Sequence, residues 1–460
     1  MVADKYHLIG IGGAGMSAVA ELLAARGFQV SGSDQAESKV LERLRTLGIE
    51  AASRHDDSNV PPDAVVVVSS AIKKDNPELK AAFRRHQVVI HRSKALAFAA
   101  RGQRFIAVAG AHGKTTTSGM LAHVLDVCGE DPSFAVGSGV IGMGTGARIG
   151  SGGAFVAEAD ESDESFLNYS PQTAIVTNVE PDHLDHYGSE EEFREVFFKF
   201  AKRIEPGGTL ICCADDPGSA ALALRAKREI PSLRVLTYGV GGEIRISPLG
   251  DGNAESRSPG VAGGVTWNTT SYDIELQVAG WHNLENATAA WIAAVCEGVD
   301  PSKAADALGS FRGTGRRFEL RGEVNGRRLF DDYAHHPTEV AAMVAQARQV
   351  AGDGPVVVLF QPHLYSRTLA FADRFAKALS GADRVVLADI YGAREEPVPG
   401  VSSALIADKV SGAKYVQGQS VRDAARLAAG LTPEGGILVL TGAGDITTGG
   451  DAALAKWGGQ

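Results

Sequence analysis

A lysine set behind two glycines at the start of a helix is a phosphate-handling arrangement, and the chain has one at Gly110-Ala111-His112-Gly113-Lys114-Thr115. Glycines let backbone N–H groups approach phosphate oxygens, and the helix N-terminus adds partial positive charge. Lys114 is placed to neutralise the β/γ-phosphates, Thr115 to offer its hydroxyl to Mg²⁺, and Thr116 follows in the same turn. The longer G-x-x-x-x-G-K-[ST] pattern fails, because Val108 stands at its first glycine. The loop is the shorter Gly110-x-x-Gly113-Lys114-Thr115. The competing reading is an ordinary strand-to-helix turn with a surface lysine.

Acidic residues stand where such a loop needs a metal. Strand Phe155 to Ala157 runs into Glu158, followed by Asp160, Glu161 and Asp163. Strand Ala174 to Thr177 leads into Asn178 and then Asp182-His183-Leu184-Asp185-His186. A carboxylate at a strand's C-terminal end is a Mg²⁺ ligand position in α/β ATPases. Either run alone reads as a solvated loop; both together, beside a phosphate loop, predict a metal site. A second glycine motif, Gly10-x-Gly12-x-x-Gly15, opens the chain, with Asp34 about 20 residues on. Alone it fits the dinucleotide fingerprint of an NAD-dependent dehydrogenase, in which a second, lysine-bearing phosphate loop has no place.

These residues need elements to hold them. Strand Tyr6 to Ile11, a helix carrying Val19, Leu22 and Leu23, and strand Phe28 to Val30 form a βαβ unit. Ala64 to Val68 and Val88 to Ile90 continue it, and Arg101 to Arg104 reads as a linker. Strand Phe105 to Ala109 then feeds the phosphate loop, and the following helix lines up Met120, Leu121, Val124, Leu125 and Cys128. Eight of the 17 residues from Gly137 to Gly153 are glycine, which predicts a mobile substrate loop. Gly239 to Gly264 reads as surface hairpin and loop. From Gly313 the pattern alternates again, with strands Arg328 to Phe330, Val356 to Phe360, Val385 to Ala388 and Ile437 to Leu440. Helices Thr338 to Ala347, Ser366 to Leu379, Ser402 to Val410 and Val421 to Ala429 lie between them. Alternation throughout predicts parallel sheets. The expected fold class is α/β in three domains. They are an N-terminal Rossmann-like domain (1–102), a central P-loop-type ATPase domain (103–312) and a C-terminal Rossmann-like domain (313–460).

Composition narrows the partners. Lys plus Arg number 45 against 55 Asp plus Glu, a net charge of -10, which argues against nucleic acid. Cys128, Cys212, Cys213 and Cys296 form no C-x-x-C pair, and sparse thiols suit a reducing cytoplasm. No apolar run approaches the ~20 residues that span a bilayer. A cytoplasmic location and no membrane partner are expected; oligomeric state is not legible.

Ten strings, in order along nearly the whole chain, together resemble the Mur ligase family. They are GIGGAGMS from Gly10, GAHGKTTT from Gly110, EADESD from Glu158, NVEPDHLDHYG from Asn178 and WHNLENATAA from Trp281. GTGRRFE from Gly313, DDYAHHPTE from Asp331, FQPHLYSRT from Phe360, DIYGAREEPVPG from Asp389 and TGAGDI from Thr441 complete the set. The resemblance implies an ATP-dependent ligase of peptidoglycan precursor synthesis. ATP phosphorylates the lactyl carboxylate of UDP-N-acetylmuramate, and the amine of L-alanine attacks the acyl phosphate.

Carried over position by position, Lys114 and Thr115 resemble the family's γ-phosphate and Mg²⁺ contacts, and Glu158 and His183 its metal ligands. His282, Asn283 and Asn286 stand where the family contacts adenine, though an Asn at a helix start also reads as a cap. Arg317 and Asp332 resemble nucleotide contacts, and His335 a residue at the reaction centre. The first glycine turn (Gly12, Gly13, Ala14, Gly15, Met16, Ser17), with Ser33, Asp34 and Ser70, is implied for the UDP-sugar. His363 and Arg367 follow strand Val356 to Phe360, where the family positions its amino acid; a guanidinium suits the alanine carboxylate. Read without the family, Arg367 is a helix-surface ion pair and His335 a solvated loop residue. Two departures stand out: Ala111 replaces the usual threonine, and Leu364 replaces an arginine of many members. The resemblance also admits a recycling ligase that joins a whole peptide to the same sugar nucleotide. A non-catalytic nucleotide-binding regulator is a third reading, disfavoured by the retained lysine and acids.

Overall fold

The computed structural model describes residues 4–180, 187–249, 260–393 and 395–459. The chain forms two compact units: Met1–Glu255, Ala262–Leu276 and Leu284–Arg312 in one, Ser256–Val261, Gln277–Asn283 and Gly313–Gln460 in the other.

The first unit holds two sheets. Strands β1 (Lys5–Ile9), β2 (Gln29–Ser33), β3 (Glu50–Ala52), β4 (Val65–Val68) and β5 (Val89–His91) pair in the order β3-β2-β1-β4-β5, all parallel. Leu8, Ile9, Val66 and Val67 are fully buried, as apolar runs in a covered parallel sheet must be. Helices α1 (Ala14–Ala25), α2 (Lys39–Thr46), α3 (Pro77–Arg84) and α4 (Arg92–Ala99) complete this part. The strand order reverses between β1 and β4, and a crevice at such a switch point is where α/β sheets take ligands. The Gly10 to Gly15 turn sits there.

The second sheet has β6 (Arg104–Ala109), β7 (Ser133–Ala135), β8 (Ala147–Arg148), β9 (Ala154–Glu158), β10 (Thr173–Val176), β11 (Thr209–Cys213), β12 (Arg234–Gly239), β13 (Ile244–Pro248), β14 (Ala262–Trp267) and β15 (Thr270–Glu275). Their order is β15-β14-β13-β12-β11-β10-β6-β9-β7-β8. Strand β6 lies between β10 and β9, so the phosphate loop at its end is flanked by both acid-bearing strand ends. Helix α5 (Lys114–Val127) follows the loop, with Met120, Leu121, Val124 and Leu125 fully buried.

The other unit carries β16 (Glu319–Val324), β17 (Arg327–Asp332), β18 (Val356–Phe360), β19 (Arg384–Leu387), β20 (Lys414–Tyr415) and β21 (Ile437–Thr441), ordered β16-β17-β21-β18-β19-β20. Two apolar layers, one including Val340, Met343 and Phe375 and the other Ala424, Ala428 and Trp457, cover its faces.

Four expectations change. The sheets are not wholly parallel: β13-β14-β15, β7-β8 and β16-β17 are antiparallel. Within 137–153, expected as a mobile loop, β8 pairs with β7, and Gly146, Gly150 and Gly152 lie against neighbouring backbone. A Cβ on Gly152 would collide with the Glu130 carbonyl, so its glycine serves close approach rather than mobility. Within 239–264, β13 and the start of β14 extend the central sheet; 250–259 lie outside the described residues. The expected helix Ser402 to Val410 is shorter, Ala404–Ala407.

Candidate active site

The phosphate loop leaves β6 and turns into α5 through Gly113, whose φ of +81 is a left-handed conformation. A Cβ there would meet Asn286 Oδ1 at 2.6 Å, so position and neighbour both require glycine. The strand-end residues of β10 brace the loop. His112 N donates to Asn178 Oδ1 at 3.0 Å, while Asn178 Nδ2 and Thr177 Oγ1 donate to the His112 carbonyl at 3.0 and 2.5 Å. His112 Nε2 lies 3.2 Å from Glu180. Thr115 is buried in the first turn of α5, Thr116 half-buried, and Thr117 Oγ1 donates to Asn286 Oδ1 at 3.1 Å. Asn286 therefore sits at the loop. Ala111 leaves the backbone of this cradle intact.

Lys114 Nζ spends its three protons within the site: 2.5 Å to the Gly110 carbonyl, 3.2 Å to that of Ala111 and 3.0 Å to Glu161 Oε1. Burial opposes the ammonium charge, but Glu161 and Asp160 outweigh it and raise the lysine's pKa. Glu161 is 1% exposed, and its Oε2 has no hydrogen-bond partner among the described residues. Burial pushes its carboxyl up to about 7, with Lys114 opposing and Asp160 reinforcing. Burial acts the same way on Asp160, yet Arg92 and Lys114 win and hold it at about 2. Asp160 is thus the anion of the pair, and Glu161 the carboxyl poised to change state near neutrality.

Glu158 ends β9 beside Val108 of β6, and its Oε1 accepts from Gly137 N at 2.6 Å. A carboxylate with a threonine hydroxyl at the helix start is the hard oxygen donor set that suits Mg²⁺. His183 lies outside the described residues.

At the first glycine turn, Gly12 N donates to Asp34 Oδ2 at 2.8 Å, and Gly13 N to the Gly10 carbonyl at 3.1 Å. No side chain caps α1, and Gly13, Ala14 and Gly15 are exposed. Ser70 is exposed beyond the end of β4. Three residues implied for the sugar nucleotide are buried instead. Met16 packs into the core at 4% exposure, leaving only its backbone for a ligand. Ser33 is fully buried, donating to Glu78 Oε2 at 2.5 Å and lying 2.7 Å from His55 Nδ1. Ser17 is buried too and donates to the Ala14 carbonyl at 3.1 Å.

In the second unit, Arg367 is buried with Nη1 3.5 Å from His363 Nδ1. The His363 ring stacks on Tyr391 at 5.9 Å and meets His335 edge-on at 5.8 Å. His335 Nδ1 lies 3.2 Å from Glu339, and Arg317 Nη1 3.8 Å from the same carboxylate. His335, His363, Arg367 and Arg317 are therefore neighbours, with Glu339 and Tyr391 as members that sequence reading missed. Leu364 is buried with φ +70 as the chain enters helix Tyr365–Leu379. Asp332 is committed to backbone, accepting from Phe318 N at 2.8 Å and Ala334 N at 2.7 Å. Burial lifts its carboxyl to about 6 against the pull of Arg317. This makes Asp332 an organiser of its loop. Asn283 Nδ2 donates to the Ala279 carbonyl at 2.6 Å, and burial pulls the His282 imidazole down to about 4.

Residues 5–104 match the Mur ligase family catalytic domain, 108–294 the Mur ligase middle domain, and 316–444 the Mur ligase glutamate ligase domain. The chain belongs to the Mur ligase family. Among Mur ligases, it is 50% identical over 457 residues to the UDP-N-acetylmuramate–L-alanine ligase of Kineococcus radiotolerans, covering 98% of this chain and 95% of that protein. The enzyme of that name from Paenarthrobacter aurescens is 48% identical, covering 99% and 97%. The crystal structure of the Thermotoga maritima UDP-N-acetylmuramate–alanine ligase superposes with a TM-score of 0.81 at 29% identity, covering 99% of both chains. A murein peptide ligase from Psychrobacter arcticus shares the fold, with a TM-score of 0.73 at 24% identity and 99% coverage of both. Within a Mur ligase the first glycine turn is not a dehydrogenase signature. Among the described residues no helix is long and apolar enough to cross a membrane.

Proposed function

We propose that this Mur ligase joins L-alanine to the lactyl carboxylate of UDP-N-acetylmuramate, converting ATP to ADP and phosphate. The single observation that carries the reading is Lys114, half-buried at the helix start, bonded to Glu161 just past the strand that ends at Glu158 and to the braced Gly110 to Gly113 loop. The residue ranges assigned are 1–102 for the sugar nucleotide, 103–312 for ATP and 313–460 for the amino acid. Full-length relatives named for alanine addition, at 48 and 50% identity, support alanine over a recycled peptide.

The chain's own groups supply most of what the reaction needs. Backbone N–H groups of the loop and α5 take the phosphates, and Lys114 leaves its resting carbonyl contacts to meet the γ-phosphate. Thr115 and Glu158, with His183, are the residues that would hold Mg²⁺; the ion's chemistry is to neutralise the phosphoryl oxygens in flight. The lactyl carboxylate oxygen attacks the γ-phosphorus and ADP leaves. The alanine amine then attacks the acyl carbon, and phosphate departs with the bridging oxygen. Arg367 holds the alanine carboxylate, with His363 and His335 beside it. Asn286, His282 and Asn283 are assigned to adenine, and Arg317 to the nucleotide phosphates.

The test is phosphate release with ATP, Mg²⁺ and UDP-N-acetylmuramate, comparing L-alanine with the tripeptide L-alanyl-γ-D-glutamyl-meso-diaminopimelate. Release that depends on L-alanine supports the reading. Release only with the tripeptide overturns it.

A further inference from the structure

Three consecutive residues at the start of α4 reach into the segment after β9. His91 Nε2 lies 3.5 Å from Asp163, Arg92 Nη2 donates to Asp160 Oδ2 at 2.5 Å, and Ser93 Oγ accepts from Asn168 Nδ2 at 2.8 Å. Arg92 also faces the first glycine turn: a Cβ on Gly15 would stand 3.1 Å from Arg92 Nη1. One guanidinium thus points one nitrogen at the uncapped start of α1 and bonds the acidic run of the ATP site with the other. Asp160 is followed by Glu161, the resting partner of Lys114.

We propose that Arg92 is a positioning residue that couples the two nucleotide sites, taking the diphosphate of the sugar nucleotide on Nη1 while Nη2 keeps Asp160. The proposal rests on the functional reading above. A planar fork with five donors can serve two anions at once, which a lysine ammonium on a flexible stem does less well. A diphosphate at the glycine turn fixes the guanidinium, which fixes Asp160 and the neighbouring Glu161–Lys114 pair in the geometry that receives ATP. Coupling of this kind is reciprocal, so each nucleotide tightens the other.

The experiment is titration calorimetry of UDP-N-acetylmuramate, alone and with a non-hydrolysable ATP analogue plus Mg²⁺. It is run on wild type, Arg92→Ala, Arg92→Lys and Asp160→Asn. Wild type should bind the sugar nucleotide about fivefold or more tighter with the analogue present. Arg92→Ala should weaken sugar-nucleotide binding about tenfold or more and abolish the enhancement. Arg92→Lys should keep part of the affinity and lose the enhancement, and Asp160→Asn should keep the affinity and lose the enhancement. Unchanged affinity and enhancement in both Arg92 variants overturns the proposal alone. So does weakened sugar-nucleotide binding with the enhancement intact and a lowered Tm, which marks a merely structural contact. A wild type that does not bind UDP-N-acetylmuramate overturns the functional reading, and the proposal with it.

Discussion

Lys114 Nζ rests 3.0 Å from Glu161 Oε1, a carboxylate that is itself almost wholly buried. The lysine is therefore fully hydrogen-bonded before any nucleotide arrives, and binding exchanges partners rather than supplying the first. Lys114→Ala should lower kcat by about 10³-fold, the scale of losing one group aimed at developing charge. Affinity for UDP-N-acetylmuramate should change by less than about threefold, since the glycine turn of β1 does not include Lys114. Steady-state kinetics and calorimetry check both halves.

Glu161 gives stability a pH signature. Its folded carboxyl stands near 7 against an ordinary 4.5, so between those values the native state holds a proton the unfolded chain has lost. Stability from this group is complete below about 4.5 and falls as pH rises towards 7, by at most about 1.4 kcal/mol per unit. Urea unfolding of Glu161→Gln across pH 4.5 to 7 should lack that fall. A slope equal to wild type contradicts the assignment. Asp160 acts oppositely: held at about 2, it contributes stability above its ordinary 3.8 that is lost as pH drops towards 2.

Much of this site was legible because strand, glycine loop and helix are contiguous in the chain. Lys114, Thr115 and Glu158 could be named from local pattern alone. Their supports could not: Lys114 and Glu161 are 47 residues apart, His112 and Asn178 66, and Arg92 and Asp160 68. Parallel pairing brings such residues together, and no local spacing encodes it. The same limit explains Ser33 and Met16, assigned from a motif although the core claims their side chains. At Gly146, Gly150 and Gly152 glycine richness marks close backbone approach, which composition does not distinguish from mobility.

Glu158 is held by Gly137 N at 2.6 Å, which orients it at the loop. Glu158→Gln should raise the Mg²⁺ concentration for half-maximal activity about tenfold or more. Metal titration at saturating ATP reads this. A shift in the ATP KM alone, with the Mg²⁺ requirement unchanged, would place the metal elsewhere.

Arg367 is buried, with Nη1 3.5 Å from His363 Nδ1. Arg367→Lys keeps the charge and loses the fork, so the KM for L-alanine should rise about tenfold while the KM for ATP holds. A parallel rise in both KM values would instead assign Arg367 a role in the fold.

The central claim is that Lys114 serves phosphoryl transfer onto a carboxylate that then receives an amine. UDP-N-acetylmuramate carrying ¹⁸O in both lactyl carboxylate oxygens tests it directly, with the released phosphate read by mass spectrometry. Each turnover with L-alanine should deliver one ¹⁸O into phosphate, because the bridging oxygen of the acyl phosphate leaves with phosphorus. Unlabelled phosphate formed alongside the amide product would contradict the account.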